Sequence, residues 1–175
     1  MSMPGSHISG NSSRQSLILV ALSGIAFLAY KYLNEVSTSK TSTNYSQTVY
    51  NILQASGLAD IICRFATSQA AFESNGFNSA IFKSNNNAFG MKYAGQVNAI
   101  GEKNGYANYL TVNESVADFA AWYTRHRANI LSLPLWINSL DSYVSFLKDQ
   151  SYFESDEAAY LEGCQSYYNQ IFDGQ

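Results

Sequence analysis

One carboxyl group stands out for where the chain puts it. Residues 66–73 read ATSQAAFE, an apolar helical run closed by Glu73, and Ser74, Asn75 and Gly76 follow at once. Burial disfavours the charged form of an acid, and so does the negative end of a helix dipole. Both push the pKa upward, which a proton donor working near neutral pH needs. The same position also suits an ordinary solvent-exposed acid at a helix end, so residue chemistry alone makes Glu73 a candidate. A second acid, Glu102, comes 29 residues later (102 − 73), and no other acid lies between Glu73 and Tyr109. Cleavage of a sugar bond usually takes two carboxyl groups, one on each side of the bond. Between the two acids run Asn85, Asn86 and Asn87 and the turn Phe89-Gly90-Met91-Lys92. Asparagines in a loop make Asx-turns, and their amides can also bond sugar hydroxyls or acetamido groups.

The elements that must hold these residues can be read from periodicity. Ser46 is set to cap a helix to about residue 56, with Val49, Ile52 and Leu53 on one face and Gly57 as its stop. A strongly apolar helix is expected over 58–73 and a short one over 79–83. Lys103-Asn104-Gly105 is a turn signal, and residues 96–112 read as a small β-hairpin. A helix follows to about Arg127, another over 134–148 opened by Pro134, and a last one over 156–172. The expected fold is α+β and mainly α, with one hairpin.

Composition narrows the partners. Of the 175 residues 46% are hydrophobic and only 13% charged, with net charge −3. Without clustered Lys or Arg, nucleic acid is not an expected partner. Thirteen Tyr, ten Phe and two Trp, beside many amides, suit a groove that stacks on sugar faces, although half-buried tyrosines are common anyway. Cys63 and Cys164 form no metal-binding pattern, so no metal and no cofactor are expected; one disulfide and two free thiols both remain open. His7 and His126 are the only histidines, and nothing near His126 supports a nucleophilic triad.

The first 15 residues are rich in Ser and Gly and read as disordered. Residues 16–33 read as a transmembrane anchor. The 17 residues from Leu17 to Leu33 would span roughly 25 Å as a helix, against a hydrocarbon core of about 30 Å. A cleaved signal peptide and a buried soluble helix are the alternatives. Residues 34–45 read as a polar linker and 46–175 as the working domain. This makes a single-pass membrane protein, and Arg14 ahead of the segment favours a domain on the extracytoplasmic side of a cell or phage virion membrane.

At this point a family comes into view. Gln69-Ala-Ala-x-Glu73-Ser-x-Gly76-x-x-Ser79, followed by Asn86-Asn87-x-Phe89-Gly90-x-Lys92, resembles the glucosaminidase domain of glycoside hydrolase family 73. That family includes bacterial autolysins and the cell-wall-cutting domain of the flagellar rod assembly protein. The resemblance runs from about residue 48 to 172. It implies a lysozyme-like fold and hydrolysis of the β-1,4 bond between N-acetylglucosamine and N-acetylmuramic acid, with peptidoglycan glycan strands as partner. Carried over by position, Glu73 is the general acid and Glu102 the second carboxylate. Tyr152 matches a family tyrosine near the site, with Tyr160 its rival in the alignment. Ser74, Asn86, Asn87, Phe89 and Lys92 are the expected substrate-binding positions. A lytic transglycosylase on the same fold, and a non-catalytic wall-binding or virion assembly module, are the competing readings.

Overall fold

The computed structural model describes residues 44–128 and 137–173. The segment 16–33 lies outside them; among the described residues no helix is long and apolar enough to cross a membrane. The described chain opens in a helix, α1, that runs to residue 55. Ser46 lies inside that helix and is buried, so it is not the cap expected from sequence. Gly57 does end the element, at φ +85°.

Helix α2, Asp60–Glu73, is the axis of the core. It buries Ile62, Cys63, Phe65, Ala66, Ala70 and Ala71, a run of apolar positions broad enough for neighbours on several sides. Its end is an unusual turn. Asn75, Gly76 and Phe77 all take positive φ, at 50°, 62° and 63°. A bulky residue in the left-handed region is strained. Phe77 is held there because its ring is buried against Tyr45 and Phe82, with centroids 5.8 and 5.4 Å away. Ser74 ties the turn down: its hydroxyl donates to the Ala70 carbonyl at 2.6 Å and accepts from the Phe77 amide at 2.9 Å.

Helix α3, Ala80–Asn85, starts on the Ser79 side chain and ends on Asn86 in the left-handed conformation. The strands β1, Gly101–Lys103, and β2, Tyr106–Asn108, pair antiparallel with Glu102 opposite Ala107. The hairpin is shorter than the 96–112 expected. Ahead of it, Asp118 accepts from the Asn98 amide and side chain and pulls residue 98 out of strand pairing. Behind it, Thr111 is already the cap of the next helix, sharing a reciprocal pair of bonds with Glu114.

That helix is α4, Val112–Ala128. Helix α5 is Leu140–Asp149 and starts on a capping box of Ser139 and Ser142, not near Pro134 as expected. Pro134 itself lies outside the described residues. Helix α6, Glu157–Tyr168, is capped by Asp156 and runs into one π-helical turn, Asn169–Asp173. Helix α6 packs on α2 and α5, and α3 packs on β2. The described domain is therefore mainly helical with one two-stranded antiparallel sheet. Cys63 and Cys164 are both buried free thiols.

Candidate active site

Glu73 ends α2 on the wall of a cleft of about 630 Å³. The carboxyl is half-buried, and that burial raises its pKa above the ordinary range. An opposing influence comes from Tyr160 on α6, whose hydroxyl donates to Glu73 Oε1 at 2.5 Å and favours the ionised form. Desolvation is the larger of the two. Oε2 lies against Gly90: a Cβ built there would stand 3.2 Å from it. Gly90 also takes φ +60°. Its bare backbone thus leaves room for the acid and makes a turn that other residues resist.

Tyr160 is itself locked. The Phe153 ring stacks on it at 3.7 Å and 2°, and Phe72 meets it edge-on at 5.1 Å. Burial pushes the Tyr160 hydroxyl far above its ordinary value, so it stays a neutral donor. Tyr152 lines the same cleft, but its hydroxyl donates to the Phe89 carbonyl at 2.7 Å. Both tyrosines weighed from sequence therefore reach the site. Tyr160 touches the acid, and Tyr152 holds the turn that faces it.

A family model named Glucosaminidase, described as mannosyl-glycoprotein endo-beta-N-acetylglucosaminidase, matches residues 49–172. The chain belongs to that family. The glucosaminidase domain is accordingly a glycoside hydrolase. Its fold resembles a solved structure titled a type VI secretion system effector–immunity complex from Pseudomonas protegens. The TM-score is 0.58 at 15% identity, over 77% of this chain and 94% of that one. No curated protein matches the chain.

The remaining expected residues divide sharply. Of the substrate-binding candidates, Asn87, Phe89 and Lys92 line the glucosaminidase cleft, and Ser74 and Asn86 do not. Ser74 is spent on the turn after α2. Asn86 donates to the Tyr109 and Leu110 carbonyls, both at 3.0 Å. Asn87 is buried and binds Met91 from both sides, its side-chain amide donating to the Met91 carbonyl at 2.9 Å and its oxygen accepting from the Met91 amide at 3.1 Å. Phe89 stacks on Phe119 at 3.8 Å and gives the cleft little more than its backbone.

Glu102 is exposed on β1 and is not among the residues lining the cleft. The second acid that does line it is Glu154, in the loop before α6, which no motif in the sequence singles out from its neighbours Asp156 and Glu157. Gly90, Tyr106, Trp122 and Gln150 are also on its walls. Aromatic faces beside amides and hydroxyls are what a sugar chain needs from a groove. Among the described residues no group of three His, Cys, Asp or Glu could hold a metal ion.

Proposed function

We propose that the domain hydrolyses the β-1,4 bond between N-acetylglucosamine and N-acetylmuramic acid in peptidoglycan, with Glu73 as the general acid. The observation that carries this is the state of Glu73: half-buried beside an open cleft, its pKa raised by burial, one oxygen held by Tyr160 and the other beside Gly90. A neutral carboxyl on Oε2 can donate its proton to the glycosidic oxygen as the C1–O bond breaks. Positive charge then develops on the sugar ring.

Stabilisation of that charge falls to the substrate's own acetamido oxygen, which attacks C1 from the other face. The Glu73 carboxylate then takes a proton from the water that opens the cyclic intermediate, and the configuration at C1 is retained. This route needs one enzymatic acid, which fits a cleft whose only other lining carboxylate among the described residues is the exposed Glu154. A second carboxylate role for Glu102 would need the hairpin to swing toward the cleft. Turnover that survives Glu102→Gln supports the acetamido route, and loss of turnover on the scale of Glu73→Gln supports Glu102.

The lysozyme-like reading of the fold rests on the family and on the helical frame around one small sheet. Residues 16–33 would hold the domain on the wall side of a membrane, in a cell or a virion. Carbonate extraction of membranes carrying the full chain tests the anchor: release into the supernatant contradicts it. Mass analysis of digested peptidoglycan tests the reaction. Reducing N-acetylglucosamine ends are expected, and 1,6-anhydromuramic ends would assign a lytic transglycosylase instead.

A further inference from the structure

Neutral sugars need no cation, yet the cleft carries one. Among the described residues lining it, Lys92 is the only basic side chain. Its backbone is fixed three ways. It bridges antiparallel to Tyr106 on β2, its carbonyl accepts from the Gln96 side chain at 2.7 Å, and the preceding Met91 is clamped by Asn87. The ammonium is therefore presented from a rigid base on a mobile stem.

Across the cleft Glu154 stands 3.9 Å from the Lys92 nitrogen. Its loop is held too, since Lys148 donates to the carbonyls of Glu154 and Ser155 at 3.3 and 2.7 Å. The two side chains are 78% and 96% exposed, at the outer limit of an ion pair. Such a pair contributes little stability. What it marks is a place at the cleft where a carboxylate can stand beside a cation.

From this we infer that Lys92 selects substrates bearing a carboxylate next to the scissile bond, and that Glu154 competes with that carboxylate for the ammonium. The inference rests on the peptidoglycan reading above, because a carboxylate appears there on alternate sugars. It is either the free lactyl acid of muramic acid or an acid of the attached peptide.

The test uses the full chain on soluble glycan strands with peptides attached, on strands stripped of peptide by an amidase, and on each after its carboxyls are converted to amides. Lys92→Met is expected to raise KM on carboxylate-bearing strands about two- to fivefold, the range of an exposed ion pair. Glu154→Gln is expected to lower KM on the same strands. Both effects are expected to vanish on the amidated strands. An effect confined to stripped strands, where the amidase has freed the lactyl carboxyl from its amide, assigns the lactyl acid; one confined to peptide-bearing strands assigns the peptide; and one on both shows that either carboxylate can stand beside Lys92. Equal KM for wild type and Lys92→Met on untreated strands overturns the inference while leaving the hydrolase standing. So does a rise for both variants on amidated strands, which would make the pair a structural strap. If the wild type cleaves none of the strands, the hydrolase reading fails and takes the inference with it.

Discussion

Glu73 works through the balance of two neighbours. Burial raises its pKa, and the Tyr160 hydroxyl pulls it part of the way back. Removing that donor leaves desolvation unopposed. Tyr160→Phe is therefore expected to move the alkaline limb of the pH–rate profile to higher pH, because the acid must be protonated to act. A profile that stays in place or moves to lower pH would contradict this. The same raised pKa has a stability consequence. A carboxyl whose folded pKa lies above its unfolded value favours folding below the unfolded pKa, and that contribution is lost as pH rises through the folded pKa. Glu73→Gln, which cannot ionise, is expected to melt higher than wild type at pH above that range and at about the same temperature in acid. Thermal melts across pH check the sign.

Elements carry the site by spending polar side chains on backbone. The three consecutive asparagines show how. Asn85 donates to the Lys103 carbonyl at 2.8 Å and accepts the Tyr109 amide on its own carbonyl, so α3 pins both ends of the hairpin. Asn86 and Asn87 do the same for Tyr109, Leu110, Met91 and Ala107. Losing a buried hydrogen bond of this kind costs about 1–3 kcal/mol, the expected destabilisation of Asn85→Ala in a denaturant melt. Faster amide exchange at Lys103–Tyr106 should accompany it, and a melt identical to wild type would contradict the pinning role.

The element scale is also where sequence reading was strongest and then ran out. Apolar periodicity located α2 and α4 closely, because each buries a wide face whose pattern is local. It overran the hairpin, because the bonds that end it come from Asp118 and Glu114 on a different element, α4. It opened α5 at Pro134, since a proline is a visible start signal whereas the Ser139–Ser142 box looks like any pair of serines. It also offered the asparagine amides to sugar, because nothing in sequence reveals which carbonyls lack a partner.

At the scale of the molecule, two helices far apart in sequence build the acid's environment. Helix α6 lies so close to α2 that a Cβ on Gly163 would come within 2.2 Å of the Phe72 ring. Phe72 neighbours Glu73 in the chain and packs on Tyr160. Gly163→Ala is thus expected to cost about 1–3 kcal/mol by overpacking and to lower turnover by displacing Tyr160. Unchanged stability and turnover would show that the contact is slack. Such long-range contacts are why Tyr160 emerged from sequence only as the rival of Tyr152: its bond to Glu73 spans 87 residues, and no spacing rule reaches that far. Glu73, by contrast, was legible because an apolar helix closed by a single acid is a local pattern.

The central claim is that Glu73 is the proton donor of a peptidoglycan hydrolase, and one measurement addresses it directly. Purified wild type and Glu73→Gln are compared on the same peptidoglycan by release of new reducing ends. The wild type is expected to release N-acetylglucosamine reducing ends. The variant, folded by circular dichroism, is expected to be slower by a factor on the order of 10² to 10⁴, the usual worth of a general acid. Comparable release by both proteins would contradict the account.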